Sequence, residues 1–136
     1  MSRTFKITNG DVDYDVRGQP AFTRTSKEKI GQDINECVLV PTDDVGFGMG
    51  IVDMVGQVQD PAYVPNLIQS RIVNGIQRLK DLQLRNQRLI RDDAELIAAL
   101  VTVSAGPNSS ANKTDFRFSF AVNTVDGDRI SRKGVL

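Results

Sequence analysis

Apolar residues recur with two different periods along this chain, and the change of period divides it. Ile30, Ile34, Cys37 and Val38 stand at offsets of four, seven and eight, which is one face of a helix. Just upstream, Thr25-Ser26-Lys27-Glu28 matches a capping box, in which the Thr hydroxyl and the Glu carboxylate satisfy helix N–H groups reciprocally. The pattern predicts a helix from about Ser26 to Val40, stopped by Pro41. Leu67, Ile68, Ile72, Ile76 and Leu79 form a second stripe, with Pro65 acceptable in the first turn. It predicts the longest helix, from Val64 to an end between Leu84 and Arg91. Between the two helices, Thr42 to Gly56 holds Asp43-Asp44 and the cluster Gly46-Phe47-Gly48-Met49-Gly50, which predicts a turn followed by a short helix.

After Asp92-Asp93 the period becomes two. Phe116, Phe118, Phe120 and Val122 alternate with Asp115, Arg117, Ser119, Ala121 and Asn123, and a weaker alternation runs from Glu95 to Ser104. These predict the two strands of a hairpin over 94–125, joined by a Gly, Pro, Asn and Ser rich connection from Ala105 to Thr114. Asp126-Gly127 marks a turn, and 126–136 reads as a tail. Ahead of the helices, Thr4 to Ile7 and Tyr14 to Thr23 predict short strands or an extended arm over 1–24, with turns at Asn9-Gly10-Asp11 and Gly18-Gln19-Pro20. With a helical part over 25–91 and no βαβ alternation, the class is α+β. Two to three helices accompany N-terminal strands and a small C-terminal sheet.

Length and composition fit one domain: 136 residues suffice for a single core, and 40% apolar with 25% charged residues is ordinary for a folded protein. Acids and bases balance at 17 each, so no global field recruits nucleic acid or a membrane surface. The balance hides a local excess. Residues 64 to 91 carry six basic side chains against one acid, Asp81, and Arg71, Arg78 and Arg85 recur at intervals of seven on one helix stripe. No aromatic residue is interleaved there for base stacking, so an interface with an acidic protein neighbour, or plain solvation, is favoured over nucleic acid. One cysteine, no apolar leader near Met1 and no run of about 20 apolar residues together predict cytoplasmic origin without a membrane span.

The inventory for chemistry is thin. Histidine is absent and Cys37 stands alone on an apolar helix face, so zinc clusters and nucleophile–base pairs have no members to draw on. Asp11, Asp13 and Asp15 alternate like the opening of a calcium loop. The required glycine and final glutamate are replaced by Val16 and Phe22. Gly46, Gly48 and Gly50 lack the later glycine and lysine of a phosphate loop. Asp44, Asp92, Asp93 and Glu95 are the acids a glycosidase would have to use, yet three of them crowd one helix-to-strand junction that reads as solvated. These residues predict a non-enzymatic chain with no metal and no cofactor. A peptidoglycan-degrading, lysozyme-like activity is the alternative.

The order of parts then becomes informative: Gly10-Asp11, an extended segment through Gly18, a helix with Gln32-Asp33, a Gly46-Phe47-Gly48 turn, a short helix to Gly56, a long helix and a β hairpin. Over about residues 5 to 125 this resembles the sheath-initiator and baseplate-wedge family of contractile phage tails, historically described as lysozyme-like. The family's Glu-Pro-Arg triplet is replaced here by Arg91-Asp92-Asp93-Ala94-Glu95. The resemblance implies a non-enzymatic virion protein, six copies of which ring the tail tube in the baseplate. Its partners would be the tail sheath protein, baseplate wedge proteins and tail tube proteins. It also implies that the hairpin accepts sheath arms as added strands, through Phe116, Arg117, Phe118, Ser119, Phe120 and Val122, while Arg71, Arg78 and Arg85 face a wedge neighbour.

Overall fold

The protein is described by a computed structural model covering residues 5–8, 11–23, 25–39, 48–51, 62–85, 93–108 and 115–136. The first helix, α1, runs Ser26–Leu39. Its start is fixed by Thr25, whose hydroxyl accepts the Glu28 N–H at 3.1 Å, as the capping box requires. Ile30, Ile34 and Cys37 are fully buried along the predicted face. The second helix, α2, runs Val64–Arg85 and buries Ile68, Ile72, Ile76 and Leu79. Val40, the short helix expected within 42–56 and the helix end beyond Arg85 lie outside the described residues, apart from Gly48–Ile51. In that segment Met49 and Ile51 are buried, and the Met49 N–H donates to the Cys37 carbonyl at 2.8 Å. Met49 lies hard against Gly75, where a Cβ would collide with its side chain and come within 3.1 Å of its Cα. Glycine at 75 is what lets this segment lie on α2.

The C-terminal region contains the expected hairpin and corrects the expected tail. Strands β3 (Ile97–Pro107), β4 (Phe116–Thr124) and β5 (Arg129–Val135) form one antiparallel sheet in the order β3-β4-β5. The segment read as a tail is therefore the third strand, reached through a turn in which Gly127 adopts φ +97° and the Thr124 hydroxyl accepts the Asp128 N–H at 3.1 Å. Phe116, Phe118, Phe120, Val122 and Thr124 project from β4 to the helical side and are all buried. Opposite them on β3 stand Pro107, Ala105, Val103, Leu100 and Ile97, a spacing that changes because register shifts fall between Ile97 and Ala99 and between Leu100 and Thr102. On β5 the inward positions are Ile130, Arg132 and Gly134. Gly134 sits under the Phe118 ring, and a Cβ there would meet Cζ at 2.7 Å.

Polar contacts tie the sheet to the helices. Gln83 on α2, itself buried, donates to the Glu95 carbonyl at 2.8 Å and accepts the Ile97 N–H at 2.9 Å. Arg132 reaches α1, donating to Asn35 Oδ1 and to the Gly31 carbonyl at 3.3 Å. The N-terminal residues form a smaller unit. Strands β1 (Ile7–Thr8) and β2 (Asp11–Val12) pair antiparallel, with single bridges Phe5↔Phe22 and Tyr14↔Pro20 beside them. Of the turn expected at Asn9-Gly10-Asp11, the first two residues lie outside the described set. The second expected turn is present, with Gly18 at φ +74°.

Candidate functional site

Most of the residues singled out for chemistry have structural roles. Cys37 is wholly buried between the helices, and burial pushes its thiol pKa up, away from the reactive thiolate. The Asp15 carboxylate accepts the Arg17 and Gln19 N–H groups at 2.8 and 3.1 Å, and Asp11 and Asp13 accept the N–H of the residue after each. The Asp15 contacts hold the turn at Gly18. Among the described residues no group of three or more His, Cys, Asp or Glu is placed to hold a metal ion.

Asp44 and Asp92 lie outside the described residues, and Asp93 is exposed. Asp93 thus matches the solvated junction expected, and Glu95 departs from it: its side chain has no solvent exposure. A carboxylate sealed in this way cannot meet a sugar ring or the water that would attack it.

The arginine stripe is also reassigned. Arg71 Nη1 donates to the Gly50 carbonyl at 2.6 Å and Arg78 Nη2 to the Gly48 carbonyl at 2.8 Å. Both glycines have positive φ, at +96° and +67° for Gly48 and Gly50, so the turn aims its carbonyls at α2 and the two guanidiniums clamp them. Arg71 and Arg78 are thus internal fasteners, whereas Arg85 is exposed. The stripe as a whole does not make one surface.

The predicted strand-addition residues are all on β4, and β4 is the central strand. Its main chain pairs with β3 on one side and β5 on the other, and Phe116, Phe118, Phe120 and Val122 fill the core. No incoming strand can pair with it while the sheet is intact. Arg117 and Ser119 do reach the outer face. There the Ser119 and Ser104 hydroxyls are 2.8 Å apart, on the floor of an open groove of about 650 Å³ whose rim includes Arg117 and Lys133.

The two edges of the sheet remain as candidate sites, and they differ. Phe116 and Leu136 exchange N–H···O=C bonds in both directions, so alternation places the inward hydrogen bonds of β5 at Gly134, Arg132 and Ile130. The N–H and C=O groups of Arg129, Ser131, Lys133 and Val135 consequently point away from the sheet. Their side chains are exposed on the outer face. On β3 the outer edge is blunted: Gln83 takes the Ile97 N–H, Lys80 Nζ donates to the Ala98 carbonyl at 2.9 Å, two register shifts follow, and Pro107 has no N–H to offer.

No family model, curated protein or solved structure matches the chain.

Proposed function

We propose that this chain is a non-enzymatic structural protein of a contractile tail baseplate, which starts sheath assembly by accepting extended arms of the tail sheath protein as added strands. In this reading six copies surround the tail tube, in contact with wedge and tube proteins, and the protein is part of the virion after assembly in the host cytoplasm. The order of parts in the sequence suggests the family. The observation that carries the mechanism is a three-stranded sheet ending in a regular edge strand, β5, with no further strand paired to it among the described residues. An unpaired edge supplies main-chain affinity to any extended segment whose side chains fit. The role expected of β4 passes to β5, with β4 as the support behind it.

The test is co-expression with the sheath protein of a contractile tail and a pull-down, using proline as a probe of edge hydrogen bonds. Lys133→Pro removes an outward N–H and leaves the β4–β5 ladder its own bonds, so the variant should fold and lose sheath capture. Undiminished capture by a folded Lys133→Pro protein would remove β5 as the receiving edge. Capture by neither the wild type nor the variant would remove the sheath-initiator reading itself.

A further inference from the structure

The outer face of the sheet carries a one-sided charge pattern. Arg117, Arg129 and Lys133 project from it among Thr102, Ser104, Ser119, Ala121, Asn123 and Ser131; Asp115 stands on this face only at the end beside Arg117, and no acid shares it along the β4–β5 registers. Two of these cations, Arg129 and Lys133, belong to β5, where their main-chain groups form the free edge. They stand four residues apart with Ser131 between them. One of the outward carbonyls, that of Ser131, accepts a bond at 2.8 Å from the neighbouring Arg132 guanidinium, which leaves the other edge groups of this strand to a partner.

We infer that the β5 edge is selective for an extended segment of another polypeptide that carries two acidic side chains four residues apart, placed opposite Arg129 and Lys133. The inference rests on the strand-addition reading and adds the chemistry of the strand that is added. Side chains directly opposite each other on one face of a sheet interact, opposite charges favourably and like charges unfavourably. A second copy of this chain offers neither cation an opposite charge. In the antiparallel register that overlaps two β5 edges most fully, Arg132 faces Arg132, each Arg129 faces a Val135 and each Ser131 faces a Lys133; slid two residues, so that Ser131 faces Ser131, each Arg129 faces a Lys133 and like charges oppose each other twice. An acidic strand places an opposite charge against each cation. The spacing of four is independent of strand direction, because in either direction residues on one face recur every second position and the cations are two such steps apart.

The experiment uses the full chain and two capped, labelled peptides, one with the core Glu-Val-Thr-Val-Glu and one with both glutamates replaced by lysine. Fluorescence anisotropy at low salt should show at least about tenfold tighter binding of the acidic peptide, because it meets each cation with an opposite charge where the lysine peptide meets it with a like one. Amide resonances of Ser131, Lys133 and Val135 should shift on binding. The doubly reversed variant, Arg129→Glu with Lys133→Glu, changes exposed side chains only, should melt with the wild type, and should invert the preference. Equal affinity for the two peptides, absence of binding, shifts confined to β3 residues, or an acidic preference that survives the reversal would each overturn the inference. The two proposals fail separately. A sheath subunit captured without charge preference sinks the acidic-strand rule alone, while acidic-peptide selection without sheath capture sinks the sheath-initiator reading and leaves the rule.

Discussion

The N-terminal strand pair and the C-terminal sheet are both antiparallel β structure, yet they are held in place by different physics. The sheet buries Phe116, Phe118, Phe120, Val122 and Ile130 against the isoleucine stripes of the helices, so its position follows from removing a large apolar area from water. The N-terminal unit contributes little to that core. Its aromatic pair, Phe5 and Phe22, stacks at 5.1 Å with both rings about half exposed. Polar contacts dock it: Gln32 on α1 accepts the Ile7 N–H and donates to the Phe5 carbonyl, both at 2.8 Å, imitating the edge of a neighbouring strand. A Lys6–Glu28 pair at 3.3 Å lies beside it, partly exposed and therefore weak. Burial fixes the first region and directional polar contacts fix the second. The two should come apart at different free energies.

The sharpest way to break that contrast is at the sheet. Phe120→Ala removes a buried ring at the middle of β4 and should cost about 3–5 kcal/mol, lowering the denaturation midpoint of the whole chain in a single transition. Next in size is Gly75→Ala, whose added methyl strikes Met49; overpacking of this kind costs about 1–3 kcal/mol and should be visible as a lowered melting temperature with helix content retained. Gln32→Ala should act on the other region. Losing both clamps costs about 1 kcal/mol, felt as faster amide exchange at Lys6, Ile7 and Asp13 while exchange in β4 is unchanged. Slowed or equal exchange there would mean that the unit is held by burial after all.

The smallest effect concerns Glu36. Its carboxyl pKa is raised, first by burial and then by Asp33, with Lys29 pulling the other way, and its Oε1 has no hydrogen-bond partner among the described residues. Below about pH 4.5, its ordinary value, the carboxyl is neutral folded or unfolded and folding incurs no penalty. As pH rises through the higher folded pKa, ionisation is favoured in the unfolded chain first, and stability falls. Glu36→Gln should therefore gain more at pH 7 than at pH 4, by no more than about 0.5 kcal/mol because the group is partly open to water. Paired thermal melts at the two pH values measure it.

Helices and the central strand are legible in the sequence because their signals are local: the Thr25 cap, two stripes at helical spacing, and an uninterrupted alternation of phenylalanines. Strand β5 is not, and the reason is visible in Arg-Ile-Ser-Arg-Lys-Gly-Val. Its inward positions after Ile130 are an arginine and a glycine. Arg132 is tolerated on that face because its guanidinium reaches α1 carbonyl and amide oxygens, and Gly134 because the Phe118 ring occupies the space a side chain would need. Both reasons are tertiary and leave no period of two. In β3 the register shifts break the alternation of Leu96-Ile97-Ala98-Ala99-Leu100-Val101, which moves the apparent start of the strand too early. The arginine stripe misleads for a related cause. Heptad spacing reveals that Arg71 and Arg78 share a side of α2, and only the fold reveals that two glycine carbonyls are waiting there. The receiving edge is hidden with β5 itself.

The place of β4 between two partners has a mechanical consequence. Hydrogen bonds of an antiparallel ladder lie perpendicular to the strands, so a pull along β5 loads the bonded rungs Phe118↔Gly134, Phe120↔Arg132 and Val122↔Ile130 together, in shear. Peeling them one at a time would require a force directed out of the sheet. Tension arriving through a strand laid on β5 passes to β4, then across the longer β3 ladder, and the Phe-filled core behind them resists bending. A joint built this way yields late under axial load.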